Sequence, residues 1–432
     1  MVLKELLTIF LILCVLRAPR GKHGKAMKYR LLDFLVCPDC SGELNLNVFK
    51  EERVEYSSPM VVKACNHSCA LKDYLRKGES EEIDCNDCCR FEIKEGVLQC
   101  KHDHIFPIVN YIPKMLPDAF CDLEMFLDEY KHLLPMERIK ERVEGKEVGK
   151  FIRIQKSTRE SFEYEWLRYD VNLEEEDREI FLRDSQITEE SFKGKMILDA
   201  GCGMGRYTRI AGDMGGEIVG VDLSQSILKA YQITRDNPFA HIIQGDILHL
   251  PFSEKKFDII YSLGVLHHTP SAKEAFLNLT KFLRKGGFIS IWVYGTAGKF
   301  HDFKSNPLGE ERQRYTKSNM AKRLHWVIVY VREIVFKTVR LVTTKMYVPL
   351  LYLLCYPLVA IGKIPFLKYL TASVHKNWRV RLQENFDWFS PQYQSHHTKE
   401  EVLGWFRKAE LDDISILKHG FIPKVGLRGK LK

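Results

Sequence analysis

Two groups of residues in this chain have types and spacing suited to chemistry. The first begins at ILDAGCGMGRY, residues 197–207, where an apolar run ends at Asp199 and passes through Gly201, Gly203 and Gly205 into helical spacing. Glycines permit a sharp turn and close approach of backbone to a ligand, and the helix that follows presents free N–H groups at its start. The dinucleotide spacing G-x-G-x-x-G fails here, because Arg206 stands at its last position. Further along come Asp222-Leu223 in GVDLS, then Gly245-Asp246-Ile247, then SLGVLHHTP with Leu263, His267 and His268. A carboxylate accepts several hydrogen bonds at once, and histidine is the side chain able to take a proton near neutral pH. The second group is cysteine: eight of the twelve fall between Cys37 and Cys100. A C-x2-C knuckle such as Cys37/Cys40 aims two thiolates at one tetrahedral ion, and such a site needs reduced thiols, which favours the cytoplasm over a secreted disulfide scaffold.

The elements that must carry these residues follow from hydrophobic periodicity. MILDAG, EIVGVDLS, AHIIQGDIL, FDIIYSLGV and GGFISIWVYG alternate with amphipathic helical segments. Continuous β-branched runs at that spacing are strands buried on both faces, so the expected fold is a parallel α/β sheet with its polar residues at the strand ends. Short strands around the cysteines precede it, and KEEVLGWFRKAEL and ISILKHGF read as a closing helix and strand.

In order and spacing, these four motifs resemble the class I S-adenosylmethionine-dependent methyltransferases, in particular the ubiquinone/menaquinone type, which implies a Rossmann-like sheet. The resemblance implies a cofactor site made of Asp199, Gly201, Gly203, Gly205, Asp222, Leu223, Asp246, Ile247 and Leu263. Asp222 would take the ribose hydroxyls, Asp246 and Ile247 the adenine, and Leu263 a place beneath the methionine. His268, and after it His267, stand where a base would serve an acceptor that must lose a proton; fixing the loop backbone is the competing role. No Asn/Asp-Pro-Pro-Tyr follows the fourth strand, which argues against base-amino methylation of nucleic acid. VCPDC and GVLQCKHDHIFPIVNYIPKML resemble the zinc ribbons that accompany or activate methyltransferases. That implies Zn2+ held by some of Cys37, Cys40, Cys65, Cys69, Cys85, Cys88 and Cys100. Asp103 stands where the fourth ribbon cysteine belongs, so three readings are open: His102 or His104 substitutes, the inserted pairs Cys65/Cys69 and Cys85/Cys88 build one or two sites, or the ribbon has lost its metal and persists as a small packed domain.

The chain has 432 residues, 65 Lys and Arg against 57 Asp and Glu, and 45% hydrophobic residues, which excludes a disordered chain and a multi-span membrane protein. We expect five regions. Residues 1–26 are an apolar and basic extension upstream of a natural opening at Met27, and 27–118 are the ribbon. A helical linker occupies 119–192, with the methyltransferase domain at 193–295 and 385–432 and a helical insertion or lid at 296–384. SFEYEWLRY in the linker offers Phe162, Tyr164 and Trp166 either as core or as a cap over the cofactor. Residues 321–370 carry eight Lys and Arg against the single acid Glu333. That +7 segment is expected to be a lid, a structural layer or a peripheral membrane contact on an otherwise cytoplasmic protein. The expected function is methyl transfer to a small-molecule or lipid-linked acceptor, with nucleic acid disfavoured. RNA or protein methylation guided by the ribbon, and a non-catalytic cofactor-binding partner of another enzyme, are the alternatives.

Overall fold

The computed structural model describes residues 27–54, 87–169, 174–296, 319–364, 371–373, 375–417 and 424–432. The expected extension at 1–26 and three of the expected metal ligands, Cys65, Cys69 and Cys85, lie outside them. The strands are β1 (Leu44–Arg53), β2 (Phe91–Cys100), β3 (Ile105–Val109), β4 (Ile112–Met115), β5 (Met196–Ala200), β6 (Glu217–Asp222), β7 (Ala240–Gly245), β8 (Phe257–Leu263), β9 (Leu283–Tyr294), β10 (Leu411–Ile416) and β11 (Lys424–Leu431). The main helices are α1 (Glu124–Tyr130), α2 (Met136–Val143), α3 (Lys146–Arg168), α4 (Glu174–Ser185), α5 (Arg206–Asp213), α6 (Ile227–Thr234), α7 (Ala272–Thr280), α8 (Asn319–Thr343), α9 (Val348–Leu354), α10 (Tyr356–Ile361), α11 (Trp378–Phe389) and α12 (Lys399–Lys408).

All eleven strands belong to one sheet, in the order β1-β2-β3-β4-β7-β6-β5-β8-β9-β11-β10. Strands β7, β6, β5, β8 and β9 are mutually parallel and β11 runs antiparallel to both of its neighbours, β9 and β10, which is the Rossmann-like arrangement the motifs call for. Every residue of β5 and β7 is buried, as expected of strands covered by helices on both faces. From β5 the chain winds outward through β6 and β7, then returns to place β8 on the other side of β5. The loops after β5 and β8 therefore diverge, and such a switch point opens a crevice at the carboxyl ends of the strands.

The ribbon is not a separate body. Its last strand, β4, pairs in parallel with β7, Lys114 opposite Gln244 and Met115 opposite Gly245. Lys114 Nζ donates to Gln244 Oε1 at 2.9 Å, and Arg30 grips Glu217 through Nε at 2.8 Å and Nη2 at 3.1 Å. One hydrophobic core holds Met27, Leu31 and Phe106 together with Leu198, Val219 and Phe257.

Two expectations change. The segment 119–192 is not a mere linker, because α3 packs on α11 and forms a wall of the crevice. The basic residues of 321–370 do not all stand free at the surface: three are engaged within the protein, whereas Lys345 and Lys363 are exposed. Arg340 is buried and donates to the backbone carbonyls of Trp388 and Pro391, Arg332 lies over the rings of Phe336 and Trp388, and Lys337 pairs with Glu333 at 2.6 Å. Beside Lys337 and Thr338, α8 turns apolar side chains outward: Val331, Ile334, Val335, Leu341 and Val342 are each about half exposed or more, as are Tyr347 and Leu353 beyond it. Among the described residues no helix is long and apolar enough to cross a membrane.

Candidate active site and metal centre

The switch point holds a cleft of about 410 Å³. Its floor is the loop after β5, where Gly201 and Gly205 adopt φ of +90° and +84°. A Cβ at Gly205 would come within 2.7 Å of the Ala230 backbone, so only glycine lets α5 start against α6. Gly203 faces Trp166, and its N–H donates to Asp222 Oδ2 at 2.9 Å. Asp222 Oδ1 accepts from the Ser224 N–H at 2.9 Å and the Ser224 hydroxyl at 2.7 Å. Asp246 is fixed likewise, with Oδ1 accepting from the Leu248 N–H at 2.9 Å.

Gly201, Gly203, Asp222, Leu223, Asp246, Ile247, Leu263 and His268 all line this one cleft. Residues up to 67 positions apart thus meet because four parallel strands end side by side. Asp199, Gly205 and His267 do not line it. Asp199 is buried behind the loop, with Oδ2 accepting from Thr208 at 2.7 Å, so it braces α5. His267 points into an aromatic layer, its ring centroid 3.9 Å from that of Tyr294 and 5.8 Å from that of Trp292. Its backbone carbonyl accepts from the Ser395 N–H, which ties down the chain returning from α11.

Burial raises the Asp199 carboxyl to about 7, against a stabilising bond from Thr208. Because an unfolded aspartate titrates near 4, the folded protein binds the extra proton between about pH 4 and pH 7. Stability from this residue is complete below that window and falls as pH rises through it, by up to about 1.4 kcal/mol per pH unit. Asp199→Asn is therefore expected to flatten the loss relative to wild type in urea titrations run across that window. A parallel dependence in both proteins would refute the assignment.

His268 sits at the mouth of the loop after β8. Its Nδ1 lies 3.0 Å from the Tyr393 carbonyl oxygen, and because a carbonyl only accepts, Nδ1 carries the proton. Burial lowers the imidazole pKa, so the ring is neutral and Nε2 is a bare lone pair, 3.8 Å from Asp387 Oδ1. Phe162 meets the His268 ring edge-on at 5.1 Å, and Trp166 lines the cleft beside it. Tyr164 turns away toward Tyr352 and Phe386. The aromatic stripe is thus divided between cap and core.

Motif analysis missed several residues of the cleft. Arg206 is held by Asp177 at 2.7 Å among the rings of Trp166, Tyr169 and Tyr207. Glu165, Tyr294, Glu384 and Asp387 also line the cleft. The boundary expected at residue 385 cuts through α11, whose Glu384, Asp387 and Trp388 all reach the site.

In the ribbon, Cys37, Cys40, Cys100 and His104 bring one ligand atom each within 4.8 Å of one another. Cys40 Sγ to Cys100 Sγ is 3.7 Å, and His104 Nδ1 is 3.4 Å from Cys37 Sγ and from Cys100 Sγ. Tetrahedral zinc with bonds of about 2.3 Å to sulfur and 2.0 Å to nitrogen requires separations of roughly 3.5–3.8 Å, so the donor set fits the ion. His104 takes the fourth place, while His102 contacts Cys40 at 3.3 Å from outside the set. Cys88 is buried in the hydrophobic core and is not one of these four donors; Cys65, Cys69 and Cys85, with which it was expected to share a site, lie outside the described residues.

The family described as "Methyltransferase domain" matches residues 198–291, and the family described as "Trm112p-like protein" matches residues 28–110. The chain carries a methyltransferase domain and a Trm112p-like ribbon. The methyltransferase domain accounts for the cleft-forming strands, and the ribbon contains all four metal donors. The chain is 31% identical over 123 residues to a tRNA (carboxymethyluridine(34)-5-O)-methyltransferase of Xenopus tropicalis, covering 28% of this chain and 19% of that protein. It is 33% identical to a malonyl-[acyl-carrier protein] O-methyltransferase of Enterobacter lignolyticus (22% and 37% covered), and 29% identical to a sterol 24-C-methyltransferase of Schizosaccharomyces pombe (23% and 28% covered). The match therefore spans well under half the length of each of these three relatives.

Proposed function

We propose that the protein is an S-adenosylmethionine-dependent methyltransferase acting on a small-molecule or lipid-linked acceptor, with a zinc ribbon built into its sheet. The observation that carries this is the cleft, where a glycine loop, Asp222 and Asp246 open onto an aromatic and acidic wall. Gly203's missing side chain leaves backbone accessible beneath Trp166, and Asp222 keeps acceptor capacity on Oδ2, which is what a ribose and an amino-acid tail require. Bound S-adenosylmethionine would supply a methyl group made electrophilic by its sulfonium sulfur. The chain's own residues orient the acceptor and keep water out, which are the main demands of an in-line displacement.

The relatives act on tRNA, an acyl-carrier protein and sterols, so the acceptor is argued from the site. The cations at the cleft, Arg183, Arg206 and Lys424, are paired with Asp184, Asp177 and Asp184 respectively, and Glu165, Glu384 and Asp387 stand in its wall. Such a lining suits an acceptor without phosphate charge. The outward apolar side chains of α8 and α9 belong to the layer behind that wall and favour delivery of an apolar acceptor from a lipid surface. Incubation with methyl-labelled S-adenosylmethionine and fractionated cell extract is expected to place label in the lipid or small-molecule fraction. Label confined to RNA or protein would refute the acceptor, and no label in any fraction would favour a non-catalytic role.

A further inference from the structure

The cleft wall made by α3, α11 and the end of β9 contains two buried polar groups left incomplete. Glu165 is 2% exposed, lines the cleft, and has no hydrogen-bond partner for Oε2 among the described residues. His268 is 6% exposed, and its Nε2 also lacks a partner. Buried polar atoms are nearly always bonded in native proteins, so two unbonded ones on side chains that line the same cavity point to a ligand that completes them. Between them lies Asp387, whose Oδ2 accepts from the Tyr294 hydroxyl at 2.8 Å.

The charged neighbours come from every element packed there. Helix α11 supplies Glu384 and Asp387, α3 supplies Glu165, and β9 supplies Tyr294. Arg206 is paired with Asp177, Arg340 is spent on two backbone carbonyls, and His267 and His396 are held neutral by burial. The wall is therefore acidic, with its nearby cations already engaged.

We propose that Glu165, His268 and Asp387 form an acceptor subsite for an uncharged or cationic hydroxyl compound, with the attacked oxygen at His268 Nε2, and that this wall rejects phosphate-bearing acceptors. The inference rests on the methyltransferase reading. The acceptor oxygen bonds to the methyl carbon as the carbon–sulfur bond breaks, and its proton passes to Nε2. The positive charge lost from sulfur thus reappears on the imidazolium beside Asp387. Burial, reinforced by Asp387, holds the Glu165 carboxyl well above the ordinary carboxylate range, so it donates a hydrogen bond to a second oxygen of the acceptor instead of repelling it.

The test uses the full chain with S-adenosylhomocysteine and two probes sharing one ring, 4-nitrophenol and 4-nitrophenyl phosphate, at a pH where free nitrophenol is protonated. Nitrophenol is expected to bind as the neutral phenol, and the phosphate at least about tenfold more weakly, because like charges meet in the cleft. His268→Leu, which removes the accepting Nε2, should weaken nitrophenol binding by about tenfold. Asp387→Asn, which replaces a carboxylate by a neutral isostere, should narrow the discrimination, whereas Glu165→Gln, which keeps an uncharged donor, should leave it in place. Equal or tighter binding of the phosphate, no binding of either probe, or wild-type nitrophenol affinity in His268→Leu would overturn the subsite. Calorimetry with S-adenosylhomocysteine separates the two readings. Lost nucleoside binding with probe discrimination intact removes the methyltransferase reading alone; intact nucleoside binding without discrimination removes the subsite alone.

Discussion

Asp222→Ala is expected to weaken S-adenosylmethionine binding by roughly 100-fold, about 2.7 kcal/mol, with little change in thermal unfolding. The carboxylate already accepts three bonds, one from Gly203 and two from Ser224. A carboxylate has about four lone-pair sites, so Oδ2 keeps one for a ribose hydroxyl, one fewer than the two-bond grip the motif implies. One charge-assisted bond is worth about 1.5–3 kcal/mol. The remainder comes from the loop, since the substitution frees the Gly203 N–H from the second strand and lets the cofactor floor move. Asp222→Asn should lose less, because an amide oxygen can still accept from either donor. Calorimetric titration measures both variants, and wild-type affinity in Asp222→Ala would refute the role given to the end of β6.

Removing the metal is expected to have the largest effect on stability. Structural zinc contributes about 10–16 kcal/mol of apparent binding energy in isolated zinc-finger peptides. The ribbon here is also held by Arg30–Glu217 and by the shared core, so the expected loss is a fraction of that. Cys37→Ser should leave protein purified without chelators with less than one zinc per chain and a lowered melting temperature. Cys88→Ser should keep the metal, because Cys88 packs in the core. Equal zinc in wild type and Cys37→Ser, by elemental analysis, would refute the four-residue site.

Much of the fold was legible because it is written locally. Unbroken runs such as MILDA and AHIIQG have one comfortable state, a strand covered on both faces, and their polar ends had to gather at one edge of the sheet. The acceptor wall was not legible, since Glu165, His268, Tyr294 and Asp387 become neighbours only through tertiary packing of α3 and α11. Charge counting did not locate the insertion's buried arginines for a related reason. Arg340 satisfies carbonyls at and beyond the end of α11, and composition does not distinguish an arginine that caps carbonyls from one that faces solvent. In the ribbon, C-x2-C spacing marked Cys37 and Cys40, but only the fold brings Cys100 and His104 to them, and among His102, His104 and the cysteines spacing alone did not single out His104.

The pairing of β4 with β7 covers what would otherwise be an open edge of the parallel sheet. Without β4, β7 would be the outer strand of the parallel sheet, and its sequence AHIIQG carries no formal charge, lysine or proline. An apolar strand with an open row of N–H and C=O groups is a template for another chain. A shortened protein lacking residues 27–118 would therefore precipitate whether or not its cleft were sound, and its inactivity would say nothing about what the ribbon recognises. The same edge can accept β4 from a second copy, so crowded or partly unfolded molecules have a ready route to exchanging ribbons.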